Sequence, residues 1–304
     1  MIKLRRPAFL KSGDKVAVIS PAGRIPPQKI DNAVNVLSEW GYEVVTGLFV
    51  RSAYNQFSGR DEERAADLQA MLDDPSVKAI FCARGGYGTA RIIDRISLDG
   101  FIQFPKWVTG YSDITVLHSL LHIYGNSMSI HSTMPGNYPD DGKPDPSMQS
   151  LKDLLSGKVS NFNIAHHDLN HHGKGNGPVV GGNLSILYSL SATKYDIQTE
   201  GKILFLEDVG EYLYHLDRMM MNMKLTGKLK NLAGLMVGSM SEMKDNLIGF
   251  GSTGYEIIAD AVSEYNYPVC FGFPAGHTGL NTAFILGKRA ELSVSGAGGI
   301  LKYV

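Results

Sequence analysis

The sequence predicts a two-domain α/β protein, in which a flavodoxin-like or Rossmann-like parallel-sheet domain precedes a smaller, mixed and β-rich α/β domain. Three observations point there. Short apolar runs ending in turn residues alternate with amphipathic stretches at helical spacing through the first half. That alternation fades between about residues 135 and 176, where a short helix is expected near Ser147 to Leu155, then resumes with more and shorter strands. The 304 residues are enough for two domains at about 100–200 residues each. The expected division is residues 1–150 as an N-terminal α/β domain, 151–176 as a linker, and 177–304 as a C-terminal mixed α/β domain. No internal repeat of fixed period interrupts it.

The elements follow in order. Val16-Ala17-Val18-Ile19 reads as a buried strand that runs into the turn Pro21-Ala22-Gly23. Ile30, Ala33, Val34, Leu37 and Trp40 recur at helical spacing, so a helix is expected over about 27–40, with Gly41 as its C-terminal cap. Glu43 to Thr46 is a second strand. A charged amphipathic helix from Asp61 to Leu72 turns Ala65, Leu68, Met71 and Leu72 inward and stops at Asp74-Pro75, because the residue before a proline disfavours the helical region. Val77 to Ala83 and Trp107-Val108-Thr109 supply two more strands, and a helix follows from about 113 to 124. The second half offers a strand at Val179-Val180, a helix after Asn183, a strand from Lys202 to Leu206 and a helix over about 212–223. A strand at Leu235 to Val237, a helix over about 255–265, and short strands near Pro268, Ala283 and Ala290 complete it.

Composition excludes several classes of function. Hydrophobic residues at 43% and charged residues at 19% are those of a folded globular chain. Lys+Arg 29 against Asp+Glu 30 leaves a net charge of -1, without the basic excess that binding a phosphate backbone requires, so nucleic acid is not expected as a partner. No run reaches about 18 apolar residues and no apolar segment follows the charged N-terminus, so neither a membrane span nor a signal peptide is expected. Cys82 and Cys270, both in apolar contexts, read as free thiols of a reducing compartment, hence a cytoplasmic protein.

Glycine is over-represented, at 34 of 304 residues against a usual ~7%. Gly249-Phe250-Gly251-Ser252-Thr253-Gly254 matches the dinucleotide fingerprint, but the nearest strand ends near Gly238 and the acidic residue downstream, Glu264, falls within a helix. It reads as a helix-entry loop, and no cofactor is expected. His166-His167-Asp168-Leu169-Asn170-His171-His172 lacks the accompanying ligands of a zinc site and reads as solvated linker. Arg84-Gly85-Gly86-Tyr87-Gly88 is more informative, since it follows a strand directly, at the edge where α/β sheets bind ligands. Its glycines either bring backbone N–H groups against a substrate oxygen or serve a tight turn.

Trp107-Val108-Thr109-Gly110-Tyr111-Ser112-Asp113-Ile114 puts a serine in a sharp turn between a strand and a helix, as in a nucleophile elbow, although Ile114 stands where the second glycine of that motif would be. A helix N-cap is the other reading of Ser112. A serine nucleophile needs a base, and the base a carboxylate to orient it. His277 lies in the glycine-flanked loop Phe273-Pro274-Ala275-Gly276-His277-Thr278-Gly279, while Glu207 and Asp208 end a strand and Glu211 follows shortly after.

Taken together, Ala83-Arg84-Gly85-Gly86-Tyr87-Gly88, Gly110-Tyr111-Ser112-Asp113-Ile114-Thr115, Gly181-Gly182-Asn183-Leu184, Phe205-Leu206-Glu207-Asp208 with Asp217-Arg218-Met219, and Pro274-Ala275-Gly276-His277 resemble, in this order, the LD-carboxypeptidase family of serine peptidases. That family includes murein tetrapeptide carboxypeptidases and microcin C immunity peptidases, and the resemblance spans about residues 14–290. It implies Ser112 as nucleophile, His277 as general base and Glu207 as the residue orienting it, with Asp208 and Glu211 as competitors for the last role. The backbone N–H groups of Gly86 and Asp113 would form the oxyanion hole. Arg84 is a candidate for the substrate's terminal carboxylate, structural pairing being its other reading. His131-Ser132-Thr133-Met134 stands where relatives often carry His-Gly-Pro-Met, which bears on local pocket shape. The implied protein is a homodimer with a cleft between its domains, needs no metal or organic cofactor, and releases D-alanine from a small murein peptide. A microcin-type peptidase acting on a peptidyl or aminoacyl nucleotide, and a non-catalytic ligand-binding protein on the same scaffold, are the rival expectations.

Overall fold

The computed structural model describes residues 4–140, 143, 145–158 and 161–304. The chain forms two compact units, Met1–Val159 with Thr282–Leu286, and Ser160–Asn281 with Gly287–Val304. Each carries its own mixed sheet.

In the first unit, strands β1 (Lys15–Ile19), β2 (Glu43–Thr46), β3 (Val77–Cys82), β4 (Trp107–Gly110) and β5 (Ser129–His131) are parallel in the order 2-1-3-4-5. This is the flavodoxin-like order, and it reverses direction at the β1/β3 boundary. Helices α1 (Pro27–Glu39), α2 (Asp61–Asp73), α3 (Asp99–Gln103), α4 (Thr115–Ile123) and α5 (Pro146–Leu155) accompany the sheet. The central strands are buried along almost their whole length, which is why they read as continuous apolar runs and not as alternating ones. α1 buries Ile30, Ala33 and Leu37, and starts at Pro27, whose fixed φ suits the first helical turn.

α2 opens with Asp61, Glu62 and Glu63, acidic residues that complement the positive end of the helix dipole. Its C-terminal end is held by a lysine from elsewhere. The buried Lys106 ammonium donates to the carbonyls of Met71 at 2.9 Å, Leu72 at 2.8 Å and Asp74 at 2.6 Å. Burial pushes this ammonium down to about 8, so it stays charged at neutral pH. Lys106→Met leaves those carbonyls without their donor, and the expected result is a loss of about 2–4 kcal/mol of stability. A urea titration checks it; an unchanged midpoint would mean that solvent replaces the ammonium at no cost.

In the second unit, β6 (Phe162–Ile164), β7 (Gly173–Asn183), β8 (Ile203–Val209), β9 (Gly234–Ser241), β10 (Val269–Phe271), β12 (Arg289–Ser295) and β13 (Gly298–Tyr303) form a seven-stranded sheet in the order 10-9-8-7-12-13-6. Strands 10, 9, 8 and 7 are parallel, and the rest join antiparallel. Helices α6 (Leu184–Ser189), α7 (Leu213–Leu225) and α8 (Gly254–Val262) complete it. α7 buries Leu216, Met219, Met220 and Met223. The Gly249–Gly254 segment leads into α8, where Thr253 caps the N-terminus and Glu256 reaches back to the Thr253 N–H.

Two segments differ from the sequence expectation. The stretch 151–176, expected as a linker, holds all of β6 and the first residues of β7, besides the end of α5, which is the short helix expected near 147–155. Its glycines look like loop residues but answer a packing demand: a Cβ at Gly175 would lie 1.6 Å from the Ala233 carbonyl oxygen. The histidine run inside it packs, with the His167 ring 5.3 Å from Tyr255 and 5.5 Å from Phe271, and with His171 Nδ1 3.0 Å from the Tyr267 carbonyl. The strand near Ala283, expected in the second domain, is β11 (Phe284–Leu286), which returns to the first unit and pairs antiparallel with β5. Its three buried apolar residues cover an edge that would otherwise present unpaired backbone groups. Among the described residues no helix is long and apolar enough to cross a membrane.

Candidate active site

In the first unit, the loops that leave the C-terminal ends of β1, β3 and β4 converge on Ser112. The residue follows β4 and opens a 3-10 turn, Ser112–Ile114, that leads into α4. Its φ is 62°, in the left-handed region that a non-glycine residue enters at a cost of ~1–3 kcal/mol. This is the sharp strand-to-helix turn that projects a serine hydroxyl from a sheet edge. The glycine loop after β3 lies against it. A Cβ added at Gly85 would stand 2.9 Å from Ser112 Cβ, 3.1 Å from its Oγ and 3.3 Å from the Asp113 nitrogen. No other residue fits at 85, and the close approach sets the Gly85-Gly86 backbone beside the serine.

That loop is pinned at several points. Gly23 N–H donates to the Gly85 carbonyl at 2.9 Å, Gly136 N–H to that of Ala83 at 2.8 Å, and Thr89 N–H to Asp113 Oδ2 at 2.8 Å. The Asp113 side chain therefore ties the serine's own turn to the glycine loop. Burial raises its carboxyl above the usual carboxylate range, against the pull of Thr89 and Arg64. Arg64 supplies the remaining pin: its wholly buried guanidinium donates to the Gly88 carbonyl at 2.9 Å and to the Pro21 carbonyl, pairs with Asp61, and stacks 5.0 Å over the Phe57 ring. Sequence reasoning missed this clamp, although a signal existed. Arg64 lies at i−4 from Leu68 and i−8 from Leu72, so it is an arginine on the inward face of an amphipathic helix. Arg84 is exposed and donates to the Arg24 carbonyl at 2.7 Å. His131, Ser132, Thr133 and Met134 are buried, and the His131 ring stacks 4.9 Å from Phe284 of β11.

In the second unit, Glu207 sits near the end of β8, fully buried at 0% exposure. The pairing of β8 with β9 advances two residues on β8, from Leu206 to Asp208, and three on β9, from Val237 to Met240. This bulge lies opposite Glu207, and such bulges re-aim side chains beside functional sites. Glu207 Oε2 accepts a hydrogen bond from His277 Nδ1 at 2.7 Å. With its proton on Nδ1, the imidazole presents Nε2 as the basic atom. Gly276 makes the approach possible, since a Cβ there would lie 2.9 Å from both Cβ and Oε2 of Glu207. Burial alone would push the His277 imidazole down, but the hydrogen bond and charge of Glu207, with the charges of Asp208 and Glu242, outweigh it and hold His277 above its ordinary 6.5.

The competing carboxylates are engaged elsewhere. Asp208 accepts from Asn183 Nδ2 at 2.9 Å, Ser185 N–H at 2.8 Å and Val209 N–H at 2.9 Å, so it holds the entry to α6. Burial, reinforced by the Glu207 charge, pushes its carboxyl up to about 6. Glu211 pairs with His215 at 2.6 Å. The first unit thus holds a strained serine under a glycine loop, and the second a histidine polarised by a buried glutamate. Among the described residues no group of three or more His, Cys, Asp or Glu side chains is placed to hold a metal ion.

Comparison with known proteins gives a consistent result. Residues 16–132 match the family described as the LD-carboxypeptidase N-terminal domain, and residues 176–292 the LD-carboxypeptidase C-terminal domain. A Bacillus subtilis protein named "probable murein peptide carboxypeptidase" is 34% identical over 295 residues, covering 95% of this chain and 92% of its own. The crystal structure of a muramoyltetrapeptide carboxypeptidase from Oxalobacter formigenes superposes with a TM-score of 0.84 at 28% identity, covering 95% of this chain and 98% of that one. A more distant relative, the microcin C7 self-immunity protein of Escherichia coli, is 24% identical over 306 residues, covering 89% of this chain and 88% of its own.

Proposed function

The chain belongs to the LD-carboxypeptidase family, and from that premise we propose that it is a serine carboxypeptidase hydrolysing an L,D amide bond, with release of the terminal D-alanine of murein tetrapeptide in cell-wall recycling. The observation that carries the serine mechanism is the 2.7 Å bond from His277 to a fully buried Glu207, in a chain whose Ser112 is held at φ 62° against Gly85.

His277 Nε2 takes the proton of Ser112 Oγ as the oxygen attacks the scissile carbonyl, and Glu207 holds the imidazole in the required tautomer and stabilises the imidazolium that forms. The backbone N–H groups of Gly86 and Asp113 receive the oxyanion. Each such preorganised donor contributes ~10²–10³-fold to the rate. Collapse of the tetrahedral intermediate expels the amine of D-alanine, which takes the proton back from His277. Water, deprotonated by the same base, then hydrolyses the acyl-enzyme. Neither step calls for a metal, because nucleophile, base and charge stabilisation all come from the chain. A homodimer in the cytoplasm, where recycled murein peptides are processed, is the setting that goes with this reading.

Incubation of the purified protein with murein tetrapeptide is expected to yield tripeptide and free D-alanine in equal amounts by mass spectrometry, and no cleavage when the terminal residue is L-alanine. Intact tetrapeptide together with hydrolysis of an aminoacyl nucleotide would move the protein to the microcin-type branch. Inertness toward both would make it a ligand-binding member of the fold.

A further inference from the structure

Beside the glycine loop, wholly within the first unit, lies a cavity of about 700 Å³ lined by Gly23, Arg24, Asn55, Gln56, Arg84, Gly86 and Tyr87. It opens where the loops after β1 and β3 separate, at the reversal of strand order, which is where open α/β sheets take their ligands. Three loops build it and are tied to one another. Gly23 N–H donates to the Gly85 carbonyl at 2.9 Å, Arg24 N–H to the Gln56 carbonyl at 2.9 Å, and Arg84 Nη1 to the Arg24 carbonyl at 2.7 Å. Its lining carries two guanidinium groups, two carboxamides and one phenol, and no carboxylate. Neither arginine is in an ion pair with an acidic side chain among the described residues, whereas Arg64, Arg91 and Arg95 nearby in sequence all are. The walls are therefore positive, uncompensated and rich in donors, which suits a small carboxylate.

Chain geometry says which carboxylate. In removal of a single C-terminal residue, the terminal carboxylate is one residue beyond the scissile carbonyl, and one residue spans at most ~3.6 Å. The anion subsite must then abut the oxyanion hole. Gly86, whose N–H is assigned to the oxyanion, itself lines this cavity, two residues from Arg84. Resting on the reading of the chain as a carboxypeptidase, we infer that this cavity is the subsite of the leaving residue, with Arg24 and Arg84 together gripping its α-carboxylate and so restricting cleavage to the last residue of the peptide. Arg24 carries a role that nothing in its sequence context suggested.

Two substrates separate this role from a structural one: murein tetrapeptide, and the same peptide ending in D-alaninamide, which keeps the scissile bond and loses the negative charge. Wild type is expected to favour the acid over the amide by ~10–100-fold in kcat/KM, the range of a charge-assisted hydrogen bond. In Arg24→Met and in Arg84→Met that ratio falls toward one, chiefly through KM for the acid, and Arg24→Lys recovers part of it. A merely structural residue would lower both substrates together and leave the ratio intact, which overturns the inference, as would a wild type indifferent to acid or amide. Should wild type release no D-alanine at all, the carboxypeptidase reading has failed, and this subsite with it. Release of D-alanine with an unchanged ratio in the arginine variants sinks the subsite alone.

Discussion

On the proposed reading, Ser112→Ala is expected to lower kcat for D-alanine release by roughly 10⁶-fold and to leave KM within a few-fold, because the hydroxyl would take part in bond formation and hardly in ground-state binding. The residual rate is that of the oxyanion donors and binding alone. A second variant adds a readout specific to the turn. Ser112 is held at φ 62°, where a side chain pays ~1–2 kcal/mol that glycine does not. Glycine gives back ~0.5–1 kcal/mol through its freer unfolded chain. Ser112→Gly is therefore expected to be as inactive as the alanine variant yet up to about 1 kcal/mol more stable, a rise of a few degrees in Tm for the first unit. Stability spent on a strained serine and recovered by its removal is the pattern of a site held ready for reaction. Wild-type turnover in Ser112→Ala would remove the serine from the mechanism.

Glu207→Gln is expected to cost about 10⁴-fold in kcat, as loss of the orienting carboxylate does in serine hydrolases at large. The neutral amide has two ways to sit, and both are poor. With its oxygen toward His277 Nδ1, its NH₂ takes the place of Oε1, which has no hydrogen-bond partner among the described residues, so a donor is buried unsatisfied at ~1–3 kcal/mol. With its NH₂ toward Nδ1, the imidazole proton moves to Nε2 and the base is lost. The pH profile separates charge from geometry. In wild type, His277 is held above 6.5, and as a general base it must be neutral, so kcat/KM rises with pH through a midpoint above 6.5. Without the Glu207 charge, burial dominates and the midpoint drops. The ion pair also stabilises the fold below the unfolded histidine value and fades as pH rises through the folded one. An acid limb that stays in place in Glu207→Gln would show that another group titrates there.

Much of the fold was legible because its signals are local. Apolar runs closed by Pro21, Gly41 or Asp74-Pro75 mark strand and helix ends through backbone preferences that need no partner, and the ends of α1 and α2 fall within a residue of expectation. β5 and β6, at three residues each, are too short to carry a period and went unread. Of β7 only Val179-Val180 was read, and its first half was hidden for a different reason: Gly175 and Gly177 lie against the backbones of Ala233 and Gly201, and a close approach between distant segments leaves no mark in local composition. β11 escaped assignment to the first unit because three apolar residues do not say which sheet edge they will cover.

The same division runs through the site. By itself the sequence determined that Ser112 ends a strand at a tight turn, that His277 lies in a glycine-bearing loop, and that a carboxylate closes the strand ending at Glu207-Asp208, since each follows from residue type and its immediate neighbours. Only the tertiary structure shows which of the carboxylates meets His277. Successive residues of a strand face opposite ways, and a bulge in β9 sits opposite Glu207, so Glu207 meets His277 while Asp208 turns to Asn183 and Ser185. It likewise decided the flavodoxin-like strand order over the Rossmann alternative, the burial of Arg64 beneath the glycine loop, and the pairing of Arg24 with Arg84 around one cavity. Each of these depends on which distant segments come together. Local propensity carries no information about that, and close packing of the whole chain settles it.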